Sequence, residues 1–226
     1  MSKNLENEKL LAAQEAVKFI KPHQIIGLGT GSSANFAIAE IGKLVKDGLN
    51  IKAVPTSNKT AELAKSLGIP LIDFDAVDAI DLTIDGTDEF DADLNLIKGG
   101  GGALFREKMV ARLSKQEIII CDSSKRVDVL GKFKVPVEVV PVALHYAQKQ
   151  IKKINGVGAV RKKDGKMFVT DAGNHIIDAD FGDIADAYDI SAKLNDIEGV
   201  VCHGLFIGLA QMVIMADENE IISFNR

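Results

Sequence analysis

Lys98-Gly99-Gly100-Gly101-Gly102-Ala103-Leu104-Phe105-Arg106-Glu107 is the most unusual stretch of this 226-residue chain. Four consecutive glycines carry a heavy entropic cost. A chain tolerates that cost where backbone must approach a ligand closely or expose several amides. A helix is predicted from Ala103 to Leu113, with Glu107 in its early turns and Lys98 at the other end of the loop. A carboxylate, an ammonium and a row of amides are the parts needed to remove a carbon-bound proton and hold the resulting enediolate. The alternative is an exposed Glu107 paired with a lysine on the helix surface.

A second constellation is Gly27-Leu28-Gly29-Thr30-Gly31-Ser32-Ser33, between a predicted strand and a predicted helix. Its glycines let consecutive N–H groups turn into one space, and the helix terminus behind adds partial positive charge. Thr30, Gly31, Ser32 and Ser33 are therefore candidates for a phosphate or other anion. A dinucleotide fingerprint fits less well. Ser32 stands where its last glycine belongs, the second strand ends in Pro55-Thr56-Ser57 rather than near an acidic residue, and no Walker lysine follows. A plain turn is the remaining alternative.

Asp85-Gly86-Thr87-Asp88-Glu89 follows Ile80-Asp81-Leu82-Thr83-Ile84, which is predicted to be a strand. A tight turn with Asp as local cap is the simplest account. A haloacid-dehalogenase-type nucleophile would need Asp at the position of Thr83. A magnesium site on Asp85 and Asp88 lacks a third carboxylate at suitable spacing. What remains is a pair of carboxylates that bind sugar hydroxyls and help transfer their protons. Asp122-Ser123-Ser124-Lys125 also follows a buried strand, and Lys125 is either a solvated surface lysine or a phosphate contact.

The elements that position these groups alternate strand and helix through the first ~130 residues with short links. Helices are predicted over Leu5 to Phe19, Asn35 to Lys46, Lys59 to Leu67 and Ala103 to Leu113. Strands are predicted over Ile25 to Gly29, Ile51 to Val54, from Leu71-Ile72, Ala79 to Ile84 and Glu117 to Cys121. This predicts an α/β fold, a mostly parallel sheet with helices on both faces, whose ligands bind outside the carboxyl ends of the strands. The polar loops at Gly29–Ser33, Thr56–Lys59, Asp85–Asp88 and Asp122–Lys125 should gather at that edge.

After Lys132 the pattern changes. An extended Val135 to Pro141, a helix over Ala143 to Ile154 and a hairpin of Gly158–Arg161 with Met167–Thr170 are expected. Ile176-Ile177, a helical part within Ile184 to Ile197, and a strand over Val200 to Phe206 follow. Two strands about the turn Asp217 to Glu220 should return to the first domain. The expected division is residues 1–130 with 207–226 as the catalytic domain and residues 131–206 as a smaller inserted α+β domain.

Bulk properties remove other classes. Hydrophobic residues make up 46% and charged residues 26%, with net charge -5. That balance suits a globular domain and lacks the basic face of a nucleic-acid binder. Cys121 and Cys202 form no CxxC pair, and His23, His145, His175 and His203 show no metal-ligand spacing. The N-terminal stretch has no signal-peptide apolar core, and the apolar run from Val200 to Ala216 is shorter than the ~20 residues of a membrane helix. A cytoplasmic protein without metal or cofactor is expected.

Together these stretches resemble the ribose-5-phosphate isomerase family of the A type. The matching segments are GTGSS, PTSNKTAELAKSLGIPL, DGTDEFDADLNLIKGGGGALFREK, SSKRVDVLGKFKVPVEVVP, DAGNHIID and GVVCHGLF. They run through nearly the whole chain in the family's order. The DGTDE to KGGGGAL–REK block is the specific part. Ser33 stands where the family usually has threonine, which keeps the hydroxyl. The resemblance implies a Rossmann-like domain with a smaller α+β domain and a homodimer or higher assembly. It implies interconversion of ribose 5-phosphate and ribulose 5-phosphate through a cis-enediolate, in the pentose phosphate pathway, without metal or cofactor. It implies Glu107 as catalytic base, with Asp85, Asp88 and Lys98 assisting. Thr30 to Ser33, Asp85, Gly86, Thr87, Asp88, Lys98, Gly99, Gly100, Gly101 and Lys125 match the substrate-binding segments.

Two rivals have discriminating features. A sugar-phosphate sensor domain would follow a DNA-binding helix-turn-helix, for which the stretch before Ile25 leaves no room, and would not need Glu107 beside a glycine loop. A sugar-phosphate lactonase or amino-sugar-phosphate deaminase would not require the set Asp85, Asp88, Lys98 and Glu107.

Overall fold

The computed structural model describes residues 4–226. In chain order the elements begin α1 (Leu5–Ala16), β1 (Ile25–Leu28), α2 (Ser32–Lys46), β2 (Lys52–Pro55), α3 (Asn58–Ser66), β3 (Leu82–Gly86), β4 (Glu89–Phe90), β5 (Leu96–Ile97), α4 (Leu104–Leu113) and β6 (Glu117–Asp122). They continue β7 (Val135–Val139), α5 (Leu144–Lys153), β8 (Val157–Val160), β9 (Lys162–Lys163), β10 (Lys166–Met167), β11 (His175–Asp180), α6 (Ala187–Asn195), β12 (Val200–His203), β13 (Leu205–Phe206), β14 (Met212–Asp217) and β15 (Glu220–Asn225).

The chain divides into two units. One comprises the chain up to Thr87, Arg106–Arg126 and Gly208–Arg226; the other comprises Asp88–Phe105 and Val127–Ile207. This differs from the expected division. Residues 88–105 leave the first unit because β4 and β5 build a small antiparallel sheet with β13. Residues 127–130 go with them: the Val127 amide bonds the Phe90 carbonyl, and Leu130 bridges Ile184. Residues 1–3 of the expected first domain lie outside the described residues.

In the first unit six strands lie in the order β15-β14-β6-β3-β1-β2, parallel except for β15. Every residue of central β6 is buried, which is why Ile118-Ile119-Ile120 is an unbroken apolar run: both faces are covered. On one face Ile26, Leu28, Ile84, Ile118 and Ile120 pack against Ala12, Ala13 and Ala16 of α1 and Ile38 and Ile41 of α2. On the other, Val54 and Ile80 meet Val110 of α4. The alanines let α1 lie close to the sheet, and Asn4 caps it by accepting the Asn7 amide at 3.2 Å. Ser57 caps α3 likewise, a contribution of about 1 kcal/mol.

Two strand expectations change here. Leu71 makes only a single bridge to Ala53. Pro70 has no N–H to extend the ladder, and the chain turns into Phe74–Ala76. The strand expected from Ala79 starts at Leu82 instead and includes Asp85 and Gly86, so these two residues end a strand rather than open a turn.

The second unit carries an antiparallel sheet in the order β12-β7-β11-β8. Val135, Val137, Val139, Ile177 and Ala179 bury one face against Ala147 and Ile151 of α5 and Leu194 near the end of α6. The alternate residues of β7 and β11, Pro136, Glu138, Ile176 and Asp178, point to the opposite face. The expected strand over Val200 to Phe206 breaks at Gly204, where an added Cβ would lie 2.3 Å from the Lys98 carbonyl oxygen. β12 and β13 consequently join different sheets. The expected hairpin shrinks to β9 with β10, because β8 pairs with β11 instead.

No helix among the described residues is long and apolar enough to cross a membrane.

Candidate active site

Parallel pairing puts the ends of β1, β2, β3 and β6 at one edge of the first unit. The segments Thr30–Ser33, Thr56–Thr60 and Ser123–Lys125 follow those ends, Asp85–Thr87 spans the end of β3, and all four gather there. α4 runs the opposite way. Its last residue, Leu113, accepts the Ile80 amide before β3 begins, so its first turn, with Glu107, rises toward the same edge.

The glycine loop after β1 is held by a buried carboxylate. Asp85 is fully buried, and its Oδ1 accepts the Thr30 amide at 3.0 Å and its neighbour Gly86's amide at 2.7 Å. Gly29 is required where it stands, since an added Cβ would lie 2.0 Å from Asp85 Oδ1 and 2.5 Å from its Cα. Gly31 has φ 119° and opens α2, a 15-residue helix with no side-chain cap on its first amides. The uncapped first turn, its dipole and the Ser32 hydroxyl make an anion-receiving corner. Ser33 lies beneath, mostly buried and beside Gly86.

Thr30 brings in residues to which sequence reasoning assigned no role. Its hydroxyl lies 2.7 Å from Thr56 Oγ1, 2.9 Å from Ser57 Oγ and 3.0 Å from Thr60 Oγ1. Thr56 and Thr60 donate onward to the carbonyls of Leu28 and Gly29. The signal was present in PTSNKT, a hydroxyl-rich segment after a strand, but nothing local tied it to Thr30.

Lys125 sits in the short turn after β6, half-buried and without an ion pair among the described residues. The turn is pinned by Glu8, fully buried on α1, which accepts the Ser123 amide at 2.8 Å and the Glu218 amide at 3.0 Å. Glu107 is 3% exposed, so it is not the solvated helix residue of the alternative account.

The second unit holds the other candidates. Lys98 is 2% exposed, with its ammonium 5.5 Å from the centre of the Phe206 ring. Gly99 and Gly102 adopt φ 100° and 84°, the left-handed region that favours glycine. Gly100 and Gly101 are exposed. The Gly100 amide donates to Asp88 Oδ2 at 2.7 Å. Asp88 and the glycine loop are thus brought together within this unit, as Thr30 and Asp85 are within the other.

No cluster of three or more His, Cys, Asp or Glu side chains able to hold a metal occurs among the described residues. Both cysteines are buried thiols, and desolvation pushes the Cys121 thiol far up, which leaves it unreactive.

A parallel sheet whose carboxyl edge meets an uncapped helix terminus is the arrangement of α/β enzymes acting on phosphorylated ligands, and this chain is of that class. A model of the ribose 5-phosphate isomerase A (phosphoriboisomerase A) family matches residues 52–220. The ribose-5-phosphate isomerase A of Parvibaculum lavamentivorans is 46% identical over 222 residues, covering 95% of this chain and 96% of that one. A solved structure of D-ribose-5-phosphate isomerase in complex with phospho-erythronic acid superposes with a TM-score of 0.95 at 40% identity, over 99% of this chain and 100% of that one. Ribose 5-phosphate isomerase A from Methanocaldococcus jannaschii superposes with a TM-score of 0.93 at 37% identity, over 98% and 99%. The chain belongs to the ribose 5-phosphate isomerase A family.

Proposed function

We propose that the protein interconverts ribose 5-phosphate and ribulose 5-phosphate, and that Glu107 is the base. The observation that carries this reading is the buried Glu107 carboxylate in the helix turn directly after four glycines, in a chain of this family. In the open-chain aldose, Glu107 takes the proton from C2. The C1 carbonyl oxygen becomes the enediolate oxyanion; the O2 hydroxyl proton then passes to O1, and the same carboxylate returns its proton to C1 as C2 becomes the ketone. Lys98 and the amides of Gly99 to Gly101 stabilise the oxyanion. Asp88 and Asp85 hold hydroxyls and assist ring opening, and Asp85 also fixes the loop that carries Thr30. Thr30, Gly31, Ser32, Ser33 and Lys125 take the phosphate, and Gly86 and Thr87 are further substrate contacts. The phospho-erythronic acid in complex with the related isomerase supports the substrate class, a phosphorylated acyclic ligand with a carboxylate where the enediolate would form.

The direct test is purified protein with ribose 5-phosphate and a chelator, with the ketose measured. Steady ketose formation is expected; none at all would reject the reading. The reaction belongs to the pentose phosphate pathway and to the cytoplasm. A phosphorylated sugar is charged and stays in the compartment that makes it, and two reduced buried cysteines suit a reducing compartment. We also assign a homodimer or higher homo-oligomer. Val142, Val157 and Tyr188 are 94%, 74% and 63% exposed on the second unit, apolar side chains available to a contact with a second copy. A concentration-independent monomer mass in light scattering would contradict it.

A further inference from the structure

Arg161, directly after β8, reaches the glycine loop with one nitrogen and a carboxylate with the others. Its Nη1 donates to the Gly99 carbonyl at 2.9 Å and the Gly100 carbonyl at 3.1 Å. Its Nε donates to Asp178 Oδ2 at 3.0 Å, and its Nη2 is ion-paired with Asp178 Oδ1. The guanidinium lies over the Phe168 ring, 5.9 Å from the centroid. Phe168 also underlies Gly102, where an added Cβ would come within 2.5 Å of the ring. Asp178 aims the fork, Phe168 supports it, and both hydrogens of Nη1 go to the loop.

Peptide geometry turns those contacts into a statement about donors. All described peptide bonds are trans. In a trans peptide the carbonyl of one residue and the N–H of the next point in opposite directions. Holding the Gly99 and Gly100 carbonyls toward Arg161 therefore turns the amides of Gly100 and Gly101 to the opposite side of the loop. The Gly100 amide confirms this direction, for it donates to Asp88 at 2.7 Å. Peptides between glycines have little steric preference of their own and can flip. A cation on the carbonyls removes that freedom and polarises the same peptides, which strengthens their N–H groups as donors.

We propose that Arg161, aimed by Asp178, is a positioning residue. It fixes the Gly99–Gly100 and Gly100–Gly101 peptides with their N–H groups on the Asp88 side, so that the Gly100 amide holds Asp88 and the Gly101 amide faces the same way as a donor for the oxyanion of the enediolate. The inference rests on the isomerase reading above. It assigns no contact with substrate to Arg161, which acts through the loop.

The test uses Arg161→Met, which keeps the apolar stem, and Asp178→Asn, which keeps the shape of the aiming group. With ribose 5-phosphate, Arg161→Met should lower kcat at least about tenfold, somewhat less than direct loss of an oxyanion donor, and leave KM within about threefold. Affinity for phospho-erythronic acid, measured by calorimetry, should fall by a comparable factor. Added guanidinium ion should restore part of kcat. Asp178→Asn should show the same pattern more weakly, and it carries the test if Arg161→Met does not fold. Parental kcat in both variants overturns the proposal. So does a lowered kcat with parental affinity for phospho-erythronic acid and no recovery in guanidinium, the result of general damage. An inactive parent would reject the isomerase reading instead, and the calorimetric comparison would still decide for or against the loop: equal affinity in parent and variants overturns the positioning role.

Discussion

The Asp85 carboxylate accepts the Thr30 amide at 3.0 Å across 55 residues of sequence. One buried acid at the end of β3 thereby sets the path of the glycine loop after β1. Because the same oxygen also binds the Gly86 amide, one carboxylate oxygen ties the loop to the end of β3.

That relationship predicts the effect of Gly29→Ala. The new methyl would meet Asp85 Oδ1 at 2.0 Å and Asp85 Cα at 2.5 Å. Backbone cannot yield as a flexible side chain does, so about 1–3 kcal/mol of stability should be lost. The loop should also lose its path over α2 and the KM for ribose 5-phosphate should rise. Chemical denaturation and steady-state kinetics check the two effects.

Thr30→Val and Lys125→Ala separate anchoring from capture. Thr30 gives its hydroxyl to the Thr56, Ser57 and Thr60 cluster. Its loss should therefore cost stability as well as substrate binding, on the order of 1–3 kcal/mol. Lys125 has no ion pair among the described residues. Its alanine variant should melt like the parent and raise KM roughly tenfold, since a charge-assisted phosphate contact disappears. Equal KM in Lys125→Ala and the parent would remove this lysine from the phosphate site.

Glu8→Ala should weaken the protein from a distance. Two backbone amides, those of Ser123 and Glu218, depend on this carboxylate. Both contacts are part-buried and Glu218 itself is exposed, so water replaces them in part and each lost bond should cost about 1 kcal/mol. The Ser123–Lys125 turn should loosen as well, so KM should rise while kcat changes less. A thermal melt within error of the parent would contradict this account.

Asp81 gives a pH dependence with a defined sign. Its hydrogen bond from Lys115 at 2.7 Å, then that from the Ile25 amide, hold its carboxyl below the usual carboxylate value. A group whose folded pKa is depressed contributes stability that is fully present above its unfolded pKa. That contribution is lost as pH falls through the folded pKa. Asp81→Asn should therefore be less stable than the parent at neutral pH. The gap should close only below the ordinary aspartate range, in the strongly acidic limb of a denaturation series. A constant gap across that series would reject the sign.

Much of the site was legible because its parts are local. Gly29 to Ser33 and the four glycines announce exposed backbone by composition alone, and the strand–helix alternation predicts the parallel sheet and its carboxyl edge. What escaped was long-range. Arg161 stands before Lys162 and Lys163 and looks like one more solvated charge. Only the pairing of β8 with β11 brings it beside Asp178 and beneath the glycine loop. Thr56 and Thr60 became partners of Thr30 only through the pairing of β1 with β2. The short strands β4 and β5, two residues each, have too few residues for any periodicity to show, and they moved residues 88–105 into the second unit.

The central claim is that Glu107 moves the proton, and turnover of ribose 5-phosphate by Glu107→Gln tests it most directly. The amide keeps the shape and hydrogen-bonding size of the side chain and removes its basicity. The account predicts a fall of roughly 10²–10⁴-fold in kcat, the usual contribution of a positioned base, with the affinity for phospho-erythronic acid largely retained. Near-parental turnover in Glu107→Gln would contradict the assignment of this residue as the base.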